Sequence, residues 1–303
     1  MRNASRSPKS AMTAVACALL AASYPSLAVL CASHLVGCVT GVGVETSLES
    51  KIAAKHKILV SDLWGGGHRI IFDFNGRKGW IVEPADGVSV AKDRPWVWTM
   101  QWMGAFINRT GAPQLVKKGY CHVHLEAFDT RATDAGLKIL SDFQSYLVAE
   151  LGFATKANLI GMSWGGFYSV RYAAAFPTLV GKVYLDAPLM NFDHFGPVGY
   201  SERDVLEMKG PWAKETPVGT SWSEDPRMPV TMAEKIVEAR IPVYLIYGAE
   251  DQIVDPKYNC ELFLERFKAA GGTMKVEKRS HFGHHPHGLD AEDVGRLVTF
   301  FAE

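Results

Sequence analysis

Cysteine is scarce in this chain. Of five cysteines in 303 residues, Cys17, Cys31 and Cys38 stand in the first 38, which leaves Cys121 and Cys260 for the rest. Two thiols cannot build the disulfide framework of a small secreted scaffold, and both are expected as buried free thiols. Net charge is also missing. Lys+Arg 32 against Asp+Glu 32 excludes the basic face that nucleic-acid binding requires. There is no internal repeat and no low-complexity tract, which excludes a solenoid. His122 and His124 on one segment, and the histidines from His281 to His287 on another, have no cysteine or carboxylate at a metal-ligand spacing. No metal and no cofactor is therefore expected. What remains, 48% hydrophobic and 21% charged residues, suits a globular α/β protein with a generous core.

The N-terminus is set apart. Arg2, Arg6 and Lys9 precede a mostly apolar stretch from Ala11 to Val36 that closes on Leu35-Val36-Gly37-Cys38. A basic start, an apolar run and small residues at its end predict a secretory signal over residues 1–37. Its ending resembles a bacterial lipobox, in which Cys38 becomes the lipidated first residue and anchors the protein to a membrane. A plain cleaved signal and an uncleaved anchor are the competing expectations. Residues 38–67 are expected as a tether with a short helix around Ser47 to His56, and residues 68–303 as the folded domain.

Within that domain the pattern alternates. Arg69 to Phe74, Asn75-Gly76, then Trp80 to Val82 reads as a hairpin. Strands are predicted at Pro95–Met100, Tyr120–Leu125, Ala157–Ile160, Lys182–Asp186, Pro242–Tyr247 and Met274–Glu277. Helices are predicted from Thr133 to Leu151, Phe167 to Ala175, Asn259 to Ala269 and Asp293 to Phe301. A hairpin followed by alternating strands and helices means a mostly parallel sheet covered on both faces.

The chemistry is signalled by Gly161-Met162-Ser163-Trp164-Gly165-Gly166, between a predicted strand and a predicted helix. A Gly-x-Ser-x-Gly there is a nucleophile elbow, which pushes the Ser163 hydroxyl clear of a sharp turn. The Trp164 N–H, at the helix N-terminus, can face a developing oxyanion. Asp251, in Gly248-Ala249-Glu250-Asp251 after the penultimate strand, is the expected carboxylate. Glu250 and Asp255 are its neighbours with the same chemistry. The loop after the last strand holds four histidines. His284, which follows Gly283, is the expected general base, with His281 and His285 as alternatives. Asp186 reads as a structural or supporting carboxylate. The order Ser163, Asp251, His284 is not that of chymotrypsin-like or subtilisin-like proteases.

Taken together, these segments resemble the α/β-hydrolase superfamily over roughly Arg69 to Phe301. Within it the chain is similar to a group of exported bacterial serine hydrolases and esterases. The resemblance is carried by Pro95-Trp96-Val97-Trp98, Met103-Gly104-Ala105-Phe106, the elbow, Tyr184-Leu185-Asp186-Ala187-Pro188, Gly271-Gly272, and Gly283-His284-His285-Pro286-His287-Gly288-Leu289. It implies the α/β-hydrolase fold, a Ser-Asp-His triad and ester hydrolysis, with a small-molecule or acylated-carbohydrate substrate. No His-Gly follows the third strand, and Met103-Gly104-Ala105 stands there instead. The Ala105 N–H is the expected second oxyanion donor. Relatives that attack an alkyl carbon often carry Asp where Ser163 stands. A serine suits acyl transfer instead.

Ala187 to Arg240, rich in Pro, Gly and Trp, is the expected cap. Its Phe192, Phe195, Tyr200, Trp212 and Trp222 are expected either to wall a binding site or to pin the loop to the domain. An exported peptidase of the same fold and a non-catalytic binding protein remain as other classes.

Overall fold

The computed structural model describes residues 47–90, 93–196 and 199–303. The predicted signal, the lipobox and Cys38 lie outside the described residues. Among the described residues nine strands form one sheet: β1 (Ile58–Trp64), β2 (Gly67–Phe74), β3 (Arg77–Pro84), β4 (Trp96–Thr99), β5 (Cys121–Leu125), β6 (Ala157–Met162), β7 (Val180–Asp186), β8 (Val243–Gly248) and β9 (Lys275–Arg279). Their order is β1-β2-β3-β5-β4-β6-β7-β8-β9. The first three are antiparallel, β3 pairs antiparallel with β5, and the remaining pairs are parallel.

The β2–β3 hairpin turns on Asn75-Gly76, with φ of 53° and 83°, the left-handed pair that a two-residue turn matching strand twist demands. Strand β1 corrects the sequence reading. It lies inside the presumed tether 38–67, so the sheet begins at Ile58 rather than after residue 67. As an edge strand it is exposed along most of its length, with Leu63 82% exposed. It therefore has no apolar alternation to betray it. The helix that precedes it, Leu48–Ala53, is capped by Ser47, whose side chain accepts from the Ser50 N–H.

Alternation along the parallel strands feeds two cores. Trp96, Trp98, Leu159, Val183, Leu185, Val243 and Leu245 face the larger one. Val97, Ile160, Tyr184, Tyr244 and Ile246 face the smaller one, against Leu297, Val298 and Phe301 of the helix Gly295–Ala302. This is the period of two expected of strands buried on both sides. Helix Asp134–Leu151 is capped by Thr133 and buries Leu137, Leu140, Phe143, Leu147 and Leu151. Cys121 and Cys260 are buried and free. Burial pushes the Cys121 thiol up to about 12 and also raises that of Cys260 well above the ordinary thiol range, so neither is a ready nucleophile. Among the described residues no helix is long and apolar enough to cross a membrane.

The cap between β7 and β8 is more ordered than its composition suggests. It holds helices Glu202–Lys209 and Ala233–Glu238 and several single-turn helices. Ser201 and Asp204 form a capping box on the first. Asn259 Oδ1 accepts from the Met190 N–H at 2.8 Å, tying the start of the cap to the helix Cys260–Ala269.

Candidate active site

The site stands at the C-terminal ends of the parallel strands, where loops from several strands converge. Ser163 follows β6 and begins the helix Trp164–Ala175 with φ 50° and ψ −120°. That conformation costs on the order of 1–3 kcal/mol for a residue with a side chain. Three hydrogen bonds hold it: Ser163 N–H to Asp186 O at 2.9 Å, and Gly166 N–H and Leu189 N–H to Ser163 O at 2.9 and 3.0 Å. The tight approach is at Gly166. A Cβ there would stand 2.2 Å from Pro188 Cβ, whereas at Gly165 the nearest atom, Gln101 N, would be 3.4 Å away.

His284 reaches this serine from the loop after β9. Its Nε2 lies 3.1 Å from Ser163 Oγ, and its Nδ1 lies 2.7 Å from Asp251 Oδ2. Asp251 Oδ1 accepts from the Ile253 and Val254 N–H groups, each at 2.9 Å. The His284 and Asp251 side chains are 4% and 1% exposed. Gly248 makes the meeting possible. A Cβ there would strike Phe282 O at 2.2 Å, so only glycine lets the histidine loop cross the end of β8. The structure thus brings Ser163, His284 and Asp251 into one hydrogen-bonded chain.

It leaves the alternatives outside. His281 pairs with Glu250 at 3.3 Å on the surface, with the two side chains 91% and 61% exposed. Asp255 accepts from the Lys257 N–H within its own turn. Asp186 is fully buried and supports the loop. It accepts from His287 Nδ1 at 2.7 Å, from the Gly288 N–H at 2.6 Å and from the Tyr184 hydroxyl. Burial alone would raise its pKa, but the hydrogen bonds from His287 and Tyr184 and the charge of Arg279 hold it below the usual carboxylate range. Arg109 fixes the same loop through the His287 carbonyl at 2.8 Å.

His122 and His124 belong to the interior. His122 Nε2 meets Thr99 Oγ1 at 2.9 Å, and His124 Nδ1 donates to Thr99 O at 2.7 Å. Burial lowers His122 to about 3, so it is neutral at ordinary pH.

On the oxyanion side the two expected donors differ in their surroundings. Trp164 supplies the first N–H of its helix, one of the groups that a helix leaves unpaired. Ala105 does not fit. Its N–H donates to Trp102 O at 2.8 Å and is spent in a turn. Gln101 stands close to Gly165 on the segment after β4. It is 3% exposed, its backbone N lies against Gly165, and its Nε2 has no partner among the described residues. Periodicity gave no sign of this. The one cue in the sequence was a polar residue two positions after β4.

The cap aromatics are anchors. Phe192 and Trp212 are 3% and 4% exposed, and Trp222 packs against the same core. Their rings sit behind the elbow, with Phe192 5.8 Å from Trp164 and Phe167 5.2 Å from it. Of the two expectations for these residues, the pinned loop is the one the structure holds. The exposed ring on the loop flanking Gln101 is Trp102, 42% exposed and 4.8 Å from Phe128.

No protein-family model matches the chain, and no curated protein is similar to it in sequence. Solved structures are similar in shape. A Bacteroides ovatus protein assigned as a dipeptidyl aminopeptidase IV aligns over 82% of this chain and 36% of its own, at TM-score 0.59 and 13% identity. A Klebsiella pneumoniae protein assigned as a dienelactone hydrolase aligns over 75% of this chain and 93% of its own, at TM-score 0.52 and 18% identity. The acylaminoacyl peptidase of Pyrococcus horikoshii aligns over 82% of this chain and 49% of its own, at TM-score 0.53 and 14% identity.

This chain has the α/β-hydrolase fold. The chain spans about a third of the length of the Bacteroides protein and about half of that of the Pyrococcus one. Its mostly parallel sheet with helices on both faces agrees with the architecture expected from the sequence.

Proposed function

We propose that the protein is a serine hydrolase that cleaves carboxylic esters through an acyl-enzyme on Ser163. The observation that carries this is the chain Ser163 Oγ–His284–Asp251, at 3.1 and 2.7 Å, on an elbow with φ 50°. Ser163 Oγ attacks the acyl carbon while His284 Nε2 takes its proton. The carbonyl oxygen becomes an oxyanion facing the Trp164 N–H, with Gln101 as second donor. The C–O bond to the alcohol breaks, and His284 returns the proton to the departing oxygen. Water then attacks the acyl-serine by the same route. Trp102 offers an exposed ring face for the leaving group, of the kind on which an acylated sugar stacks.

A fluorophosphonate probe is expected to label the wild type and not Ser163→Ala. Equal labelling of both would remove the assignment. A second reading, hydrolysis of a peptide amide, is favoured by the peptidases among the similar structures. Short acyl esters, acetylated sugars and aminoacyl amides, assayed side by side with Ser163→Ala as control, separate the two. Turnover of the amides alone would replace ester by peptide.

The export signal remains part of the proposal. The mature protein is expected to begin at Cys38, to carry lipid there and to reside in the periplasm or on a membrane. Mass spectrometry of membrane-extracted protein should show a diacylglyceryl mass on Cys38. An intact Met1 would favour an uncleaved anchor instead.

A further inference from the structure

The loop after β9 gathers more imidazole than acyl transfer needs. One ring nitrogen from each of His284, His285 and His287 lies within 4.8 Å of the other two. The three rings are 4.8–4.9 Å apart by centroid. Two of them already make the bond that metal-ligating histidines use. His284 Nδ1 sits on Asp251 and His287 Nδ1 on Asp186, both at 2.7 Å and both on buried carboxylates. A proton held on Nδ1 leaves the lone pair on Nε2 and fixes the ring's orientation. The backbone around them is clamped by Arg279, which donates to Gly288 O at 3.0 Å and Pro286 O at 3.3 Å. His285 is exposed and stacks on Phe106 at 5.7 Å, so it can swing.

Three imidazoles with a fourth position open are a donor set for zinc. A tetrahedral ion with Zn–N of about 2.0–2.1 Å sets its nitrogens about 3.4 Å apart. Rotation of the exposed His285, with small shifts of the others, provides the contraction. Asp251 and Asp186 behind the rings offset the ion's charge. The sequence spacing offered no cysteine or carboxylate to complete such a set, but the fold draws all three donors from a single loop.

We propose that His284, His285 and His287 form a binding site for zinc, and that zinc bound there switches the hydrolase off. The second half rests on His284 being the general base. Its Nε2 has one lone pair, which faces Ser163 Oγ. Once that pair is on the metal it cannot accept the serine proton, so Ser163 stays a poor nucleophile. The inhibition is reversible, because no covalent bond of the protein changes. Magnesium and calcium prefer oxygen ligands and should not act.

The test uses tag-free full-length protein stripped with chelator. Zinc chloride is titrated calorimetrically into wild type, Ser163→Ala, His281→Ala, His285→Ala and His287→Ala. One equivalent is expected in the first three, with at least about tenfold weaker binding in the last two. In parallel, the rate of fluorophosphonate labelling is compared with and without zinc within each protein that retains Ser163. The ratio should fall at least about tenfold in wild type, recover with EDTA, stay near one with magnesium, and approach one in His285→Ala. Absence of a one-equivalent isotherm, or equal affinity in wild type and His285→Ala, overturns the site. Zinc that binds but leaves labelling unchanged, or speeds it, overturns the switch. If wild type labels under no condition, the assignment of Ser163 fails, and the titration still decides the metal site.

Discussion

Asp251→Asn is expected to lower ester turnover by about 10⁴-fold while leaving the fold intact. The size of the effect follows from where the two carboxylate oxygens point. Oδ1 accepts from two backbone N–H groups, of Ile253 and Val254, at 2.9 Å each. Oδ2 accepts from His284 Nδ1 at 2.7 Å. An asparagine has one acceptor and one donor to divide between these sides. Turning its NH₂ toward Ile253 and Val254 would set donor against two donors in a buried site. The amide oxygen must therefore keep the backbone pair, and the NH₂ must face Nδ1. Nδ1 then becomes the acceptor, the ring proton moves to Nε2, and Nε2 can no longer take the proton of Ser163. Steady-state rates on a short acyl ester, with circular dichroism to follow the fold, measure the effect. Asp255→Asn should change little, since Asp255 only closes its own turn on Lys257. Activity that survives in Asp251→Asn and vanishes in Asp255→Asn would show that the wrong carboxylate had been chosen.

What the sequence made legible was local. Asn75-Gly76 names its turn because only a left-handed pair fits there. Thr133 and the leucines that follow announce a capped, one-sided helix. Ser163 is visible because strand, turn and helix are contiguous around it. The neighbours of Ser163 are harder, since they arrive from remote segments. Asp251 and His284 could be placed by chain order and by their position after a strand. The exclusion of His281 needed the fold, because a loop of four histidines does not say which ring turns inward. Other features left no trace in the pattern. Strand β1 is exposed along most of its length, so it lacks the alternation by which strands are found. The N–H of Ala105 is consumed by one turn carbonyl, and no periodicity records where a single N–H points. Gln101 offered only its polarity after β4, and it drew attention once its buried side-chain amide stood without a partner among the described residues. The aromatics of the cap are equally compatible, as composition, with a wall facing solvent and with an anchor facing the core.

That last ambiguity yields the other large expected effect, at Trp212. Trp212→Ala should destabilise the protein by about 3–5 kcal/mol, the range for removing a buried aromatic from a core. In a domain of this size that lowers Tm by roughly 6–20 °C. The ring is 4% exposed and contacts Phe167, Phe192 and Trp222. Arg171 and Arg227 lie over its face at 5.0 and 5.4 Å. Its Nε1 donates to Arg131 O at 2.8 Å, so alanine also orphans a half-buried carbonyl. The vacancy would lie directly behind the elbow, because Phe167 and Phe192 are the rings against which Trp164 packs. Any loosening therefore reaches Ser163 irrespective of what is bound, and all esters should slow by one common factor. Trp102→Ala is the counterpart. That ring is 42% exposed, so its loss should leave Tm within about 2–4 °C of wild type, as for a change under 1 kcal/mol, while changing the relative rates among esters. Urea or thermal melts together with the ester panel read both variants. A Trp212→Ala protein that melts like wild type but reorders its substrates would return the cap aromatics to the binding wall.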